Sequence, residues 1–90
     1  MTIHSDKIKA LLSQGVHAED ILSGQLKIDM VEAEQDYVEK ETLERENDYS
    51  DAMESMERTY AEGFLDALTM VYRYTHDISF ARAELEKENA

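Results

Sequence analysis

The chain has 90 residues, a formal net charge of −12 and neither cysteine nor proline. A chain of this length supports a single domain, because it buries only about 60 to 65% of the surface that its unfolded form exposes. The absence of cysteine excludes disulfide bridges and thiolate metal sites. The excess of negative charge argues against nucleic acid and anionic membranes as direct partners, since both demand a basic surface.

No run of consecutive apolar residues exceeds three, whereas a helix that crosses a membrane needs about 20. We therefore expect a protein that makes no contact with membranes and stays in the cytoplasm.

Two short helices are predicted within residues 1–28. Ser5 is a favourable N-cap for the first, and Gly15 is placed to end it in the left-handed conformation. The stretch VHAEDILSG then predicts a second helix, which Gly24 closes. Helices of about nine residues are unstable alone, so we expect both to pack on the segment that follows.

Residues 29–90 are predicted to form an acidic helical hairpin that makes a single domain with residues 1–28. Asp29 and Glu32 fit a capping box at its start. The stretch NDYS at residues 47–50 is the expected turn, because asparagine tolerates positive φ and the aspartate or the serine can cap a new helix. The alternative is one continuous, coiled-coil-like helix about 90 Å long.

The predicted second arm carries a heptad pattern with one irregularity near Gly63. Its apolar residues recur at steps of three and four, which is typical of a helix packed lengthwise on another helix. They are Tyr49, Met53, Met56, Tyr60, Phe64, Ala67, Val71, Tyr74, Ile78, Ala81 and Leu85. We assign self-association to the middle of the pattern, namely Tyr60, Phe64, Ala67, Val71, Tyr74 and Ile78.

The two predicted arms differ in length, since residues 29–46 span about 27 Å as a helix and residues 50–88 about 58 Å. The shorter arm cannot cover the longer one. We therefore expect a homo-oligomer, in which a second subunit covers the remaining apolar surface.

Negative charge is concentrated in residues 29–57, which carry twelve acidic and two basic residues, a net charge of −10. As a helix this stretch has one net charge per roughly 4 Å, close to the spacing of about 3.4 Å along a DNA strand. One row of carboxylates lies on a common side of the helical net, and we assign partner binding to it. This acidic row consists of Glu34, Glu41, Glu44, Asp48 and Asp51.

Small size, absence of cysteine and dense negative charge make the chain resemble the small acidic proteins with which bacteriophages block restriction, CRISPR and other nucleic-acid enzymes. The resemblance implies a non-enzymatic inhibitor that occupies a basic groove of a defence enzyme by nucleic-acid mimicry. The charge itself predicts a basic protein surface as the partner, such as that of a nucleic-acid-binding enzyme. The alternative is a homo-oligomeric structural or adaptor module whose charge serves only solubility.

No residue pattern predicts catalysis, and we expect neither enzymatic activity nor a cofactor. None of the three histidines belongs to a metal-binding motif. A magnesium-dependent all-α nucleotide hydrolase is a further alternative, because such enzymes carry paired acidic motifs on neighbouring helices. The chain offers two E-x-x-E motifs, which pair Glu41 with Glu44 and Glu54 with Glu57.

Overall fold

A computed structural model describes residues 4–89 of the chain. These residues form three α-helices and no strand: α1 (Ser5–Ser13), α2 (Ala18–Glu46) and α3 (Ala52–Glu88). Helices α2 and α3 pack lengthwise as an antiparallel hairpin, and within the described residues α1 contacts only α2. The predicted all-α fold and the hairpin are therefore confirmed, and the single continuous helix is excluded.

Helix α1 ends at a Schellman motif, where the sequence predicts its end. Gly15 has a φ of +88°, and the amide of Val16 donates to the carbonyl of Leu11 at 3.0 Å, which is the 6→1 hydrogen bond of this motif. The start differs from the prediction by one residue. His4 is the N-cap, without a side-chain capping bond, and Ser5 is already helical.

Helix α2 is continuous across the predicted break between Gly24 and Asp29, so the predictions of a second short helix and of a helix start at Asp29 are wrong. A glycine in a helix interior costs roughly 1 kcal/mol relative to alanine, but it does not by itself end the helix. Packing overrides the local signals here, because Leu26 is buried in the hairpin and Ser23 donates to Thr75 of α3 at 2.8 Å. The first arm is therefore 29 residues long and covers most of the 37 residues of α3.

Replacing Gly24 with alanine is expected to stabilise the protein by about 0.5–1 kcal/mol, because a glycine in a helix interior loses more conformational entropy on folding. A Cβ atom at this position meets no heavy atom within 4 Å. The control is Gly15→Ala, which is expected to destabilise by about 1 kcal/mol or more, since its φ of +88° strains any L side chain. Thermal unfolding followed by circular dichroism measures both changes. A lower melting temperature for Gly24→Ala would contradict a continuous α2.

The turn between α2 and α3 lies at residues 47–50, as predicted. Asp48 and Tyr49 have positive φ angles of 54° and 59°, and the amide of Tyr49 donates to the carbonyl of Glu44 at 2.9 Å, which closes a second Schellman motif. The cap of α3 is Asp51, whose carboxylate accepts a backbone hydrogen bond at 2.9 Å. The sequence predicts Asp48 or Ser50 as this cap. Both predictions are wrong, because Asp48 and Tyr49 adopt the left-handed conformation and α3 begins only at Ala52.

The contact between α2 and α3 is made by residues that recur every three or four positions on the facing sides of both helices. All of them are buried or half-buried, and we call them the inner rows. The inner row of α2 is Glu19, Ser23, Leu26, Met30, Ala33, Tyr37, Lys40 and Glu44. The inner row of α3 is Ser55, Arg58, Ala61, Leu65, Leu68, Tyr72, Thr75 and Ser79. Among the described residues the buried apolar ones are only Leu26, Ala33 and Ala61, so the core is small.

Polar pairs at both ends of the inner rows align the two helices. Near the turn, Ser55 Oγ donates to Glu44 at 2.7 Å. At the other end, Ser23 Oγ donates to Thr75 at 2.8 Å. From one pair to the other, α2 advances 21 residues, from 23 to 44, and α3 advances 20, from 55 to 75. The two helices therefore advance by almost the same number of residues between the two contacts. A shifted register would leave these polar groups unpaired, which would lower the stability of the fold.

The molecule is a layer about one helix thick. Its extents are 59 × 30 × 14 Å, and a helix with its side chains is about 10–12 Å in diameter. Its radius of gyration is 17.8 Å, compared with roughly 12 Å for a compact domain of this length. Over the described residues, both broad faces of the hairpin are therefore open.

Candidate interaction surface

The heptad pattern to which we assign self-association lies on the outside of α3. All six of its middle residues are exposed, and the large ones range from 39% exposed for Val71 to 78% for Tyr60. Each of the six directly precedes a residue of the inner row, which rotates it by about 100° away from the contact with α2. We call this surface the apolar stripe, made of Tyr60, Phe64, Ala67, Val71, Tyr74 and Ile78. Self-association through it stays a prediction.

A line of carboxylates on α2 borders the apolar stripe. It consists of Asp29, Glu32, Asp36 and Glu39, and we call it the acidic flank. Each of the four directly precedes an inner-row residue of α2, so in an antiparallel pair they turn to the same broad face as the stripe. The two surfaces meet at a groove of about 280 Å³, which Glu32 and Asp36 line on one side and Phe64 on the other. Asp29 and the buried Ala33 complete its lining.

The five carboxylates of the predicted acidic row do not share one surface. Glu34 and Asp48 are exposed, and Glu41 pairs with an arginine one turn later at 3.7 Å. Glu44 is only 2% exposed, and Asp51 caps α3. The row is interrupted because Glu44 belongs to the inner row of α2. Partner binding by the exposed members stays a prediction.

Two residues of α3 satisfy the carboxylate of Glu44. Arg58 Nε donates to Oε2 at 2.6 Å, and Ser55 Oγ donates to Oε1 at 2.7 Å. Arg58 also donates to Glu62 at 3.0 Å. The hydrogen bond from Arg58 lowers the pKa of Glu44 below its ordinary 4.5, and the same bond raises the pKa of Arg58. Glu44 is therefore ionised at neutral pH although it lies inside the hairpin.

A second ion pair holds the open end of the hairpin. Arg82 of α3 donates to Glu19 of α2, and this bond lowers the pKa of Glu19 and raises that of Arg82. Nearby, His17 Nε2 lies 3.3 Å from a carboxylate oxygen of Glu86. Ionic contacts thus close both ends of the hairpin, with the small apolar core between them.

Protein groups engage at least one glutamate of each E-x-x-E motif. Glu44 is bound by Arg58, and both carboxylate oxygens of Glu54 accept from Asn47 Nδ2, at 2.9 and 2.8 Å. Over residues 4–89, no three histidine, aspartate or glutamate side chains lie close enough to hold a metal ion. In the same part of the chain, no helix is long and apolar enough to span a membrane.

Sequence reasoning missed the acidic flank and the buried pair of Glu44 with Arg58. The flank has a sequence signal, because its members step by three, four and three along α2. The predicted helix start at Asp29 obscured this pattern, because a capping residue was not counted among the residues on one side of the helix. The sequence signal for the pair of Glu44 with Arg58 is weaker. Arg58 lies three residues before Ala61 and seven before Leu65, so it shares their side of α3.

Comparison of the chain with protein-family models, with curated protein sequences and with solved structures found no match in any of the three. The open face that joins the apolar stripe to the acidic flank is therefore the basis for a functional proposal.

Proposed function

We propose that this protein is a non-enzymatic, acidic helical protein that binds a basic surface of a partner protein. One observation carries the proposal: the apolar stripe of α3 and the acidic flank of α2 share one open face. In such an interface apolar contact supplies affinity, while complementary charge speeds encounter and selects the partner.

The exposed area of the molecule supports a binding face of ordinary size. The accessible surface is 6819 Å², compared with about 5,400 Å² for a compact monomer of this mass. The excess, about 1,400 Å², is larger than the roughly 800 Å² that each partner buries in a stable complex. The extended shape therefore leaves surface available to a partner while the hairpin stays intact.

Enzymes that handle nucleic acids are the partner class that we propose. Their binding grooves are rich in lysine and arginine, because they must neutralise phosphates. Residues 29–57 carry a net charge of −10, which complements such a groove. An acidic protein seated there would exclude the nucleic acid, so inhibition by charge mimicry is the concrete form of the function.

A homo-oligomeric structural or adaptor module is the second candidate, and the small core favours it. No large side chain of a described residue is fully buried, and a second copy laid on the apolar stripe would enlarge the core. Analytical ultracentrifugation tests this candidate, which requires the mass of at least two chains in the absence of any partner; a monomeric mass would refute it.

Two sets of charge-neutralised variants test the leading proposal. The flank set combines Glu32→Gln, Asp36→Asn and Glu39→Gln, and the row set combines Glu34→Gln, Glu41→Gln and Asp48→Asn. Wild type and variants are immobilised, and basic nucleases and polymerases retained from a candidate host lysate are quantified at low salt, at high salt and with competing DNA. We expect retention to fall at least about tenfold with salt and with at least one set. Retention that ignores salt, DNA and both sets would refute the proposal.

A further inference from the structure

The apolar stripe has the length and spacing of a surface that receives a helix. From Tyr60 to Ile78 it runs 18 residues along α3, which is about 27 Å. Its side chains recur at steps of three and four, and another helix presents side chains at the matching spacing over such a length. The hairpin is a thin layer overall, so a helix can lie along this face.

We infer that this face binds a basic amphipathic helix of the partner protein. The inference rests on the proposed function and names the element through which the partner is recognised. The apolar side of that helix packs on the stripe around Phe64, which lies beside the acidic flank, as amphipathic helices do in hydrophobic grooves. Lysine and arginine residues along one edge of it then lie over the acidic flank of α2.

The groove at Phe64 shows how a single basic side chain is received. Phe64 is 50% exposed and lines this groove opposite Glu32 and Asp36. A lysine or arginine that enters this groove packs its apolar stem on the ring of Phe64. The aromatic face also attracts the positive charge at the end of that stem. Its cationic end then reaches the two carboxylates. Asp36 has only a long contact with Lys40, 3.9 Å, which an incoming cation can replace.

A second copy of the chain fits this face less well than a basic helix does. Two copies stacked face to face by a two-fold axis place either α2 on α2 or α2 on α3. The first arrangement joins the two apolar stripes but also opposes the two acidic flanks, and the second lays an acidic flank on an apolar stripe. Each copy also carries a net charge of −12. Like charges across an interface are costly. A basic amphipathic helix instead places apolar side chains on the apolar stripe and positive charges over the acidic flank.

A designed peptide serves as the probe, because the natural partner is not identified. It has 18 residues of leucine, lysine and alanine, with leucines at steps of three and four and lysines along one edge. One control peptide has glutamate in place of lysine, and another has the same composition with leucine at alternate positions. Fluorescence anisotropy with the full chain measures binding at low and high salt. We expect only the first peptide to bind, and its affinity to fall at least about tenfold at high salt.

Variants of the full chain locate the peptide on the proposed face. The flank set and Phe64→Ala are each expected to weaken binding by about tenfold, since both surfaces contact the helix. The matched control set is Asp6→Asn, Glu46→Gln and Asp66→Asn, which removes the same charge at exposed positions outside the proposed face and is expected to change affinity less than about twofold. All of these side chains are exposed or half-buried, and thermal unfolding verifies that each variant is folded.

Three results would overturn the inference. In the first, the glutamate peptide binds as tightly as the lysine peptide. In the second, the control set weakens binding as much as the flank set does. In the third, the free chain forms a dimer that Phe64→Ala dissociates. The last result would assign the face to a second copy. The proposed function is tested separately. It predicts salt-sensitive retention of a basic enzyme, and it holds even if only the row set reduces that retention. Loss of retention with the row set and not the flank set would refute this inference alone.

Discussion

Leu26→Ala is expected to lower the free energy of unfolding by about 2–5 kcal/mol, through lost burial and the cavity left behind. Leu26 is 7% exposed and is the largest of the three buried apolar residues in the described chain. In a layer one helix thick, few neighbours can move to refill the space. For a chain of this size the loss corresponds to a fall of at least about 8 °C in melting temperature. Thermal and denaturant unfolding followed by circular dichroism measure it.

The matched control is Tyr60→Ala, at the start of the apolar stripe. Tyr60 is a larger side chain than Leu26, but it is 78% exposed, so we expect a change within about 0.5 kcal/mol. The comparison tests which heptad pattern of α3 packs inside the hairpin. If Tyr60→Ala cost as much as Leu26→Ala, the stripe would be buried in solution, and a second copy of the chain would be its occupant.

The two heptad patterns of α3 show where prediction from sequence stops. The apolar stripe contains the larger apolar residues, such as Phe64 and Tyr74, so it was the pattern that sequence reasoning found. From Ala61 to Ser79 the inner row is one residue later than the stripe at every step, but the row includes Arg58, Thr75 and Ser79, which resemble surface residues. Only the register of α2 against α3 shows that these polar groups meet Glu44, Ser23 and other polar partners. That information is not local to α3.

Local chemistry was sufficient where one stretch decides the structure alone. The end of α1 follows from Gly15, which tolerates positive φ. The turn at residues 47–50 was placed correctly, although its positive φ angles belong to Asp48 and Tyr49 and not to Asn47. Local chemistry failed at Gly24 and Asp29, whose glycine and capping signals predicted a break. The helix continues there because Leu26, which lies between them, is buried in the hairpin. The all-α fold was predictable, and the acidic flank was not until α2 was known to be one helix.

The small core and the open face have a common origin in the composition of the inner rows. Polar residues at both ends of the rows determine the register but contribute little burial, and among the apolar residues of the middle only Leu26, Ala33 and Ala61 are buried. The aromatic side chains of Tyr60, Phe64 and Tyr74 lie on the outside of α3 and add nothing to this core. A hairpin aligned by ionic pairs keeps its shape while it presents these side chains to a partner, which is what the proposed function requires.

Glu44→Gln is expected to lower the melting temperature by several degrees at neutral pH, because it removes the negative charge that faces Arg58 at 2.6 Å inside the hairpin. The pKa of Glu44 is below its ordinary 4.5 in the folded state, owing first to the hydrogen bond from Arg58. A folded-state pKa below the unfolded one means that the carboxylate stabilises the fold fully above pH 4.5. That contribution is lost as the pH falls through the folded pKa. The difference in melting temperature between wild type and variant should therefore vanish in strong acid.

Measuring this difference, rather than the wild type alone, removes the effect of the other acidic groups, because their repulsion and the pair of Glu19 with Arg82 are common to both proteins. Glu41→Gln is the control, since Glu41 pairs with Arg45 only at 3.7 Å on the surface, where such pairs contribute little. We expect it to leave the melting temperature almost unchanged at every pH. A constant gap between Glu44→Gln and wild type from neutral pH down to about pH 2 would mean that the role of Glu44 is packing and not charge.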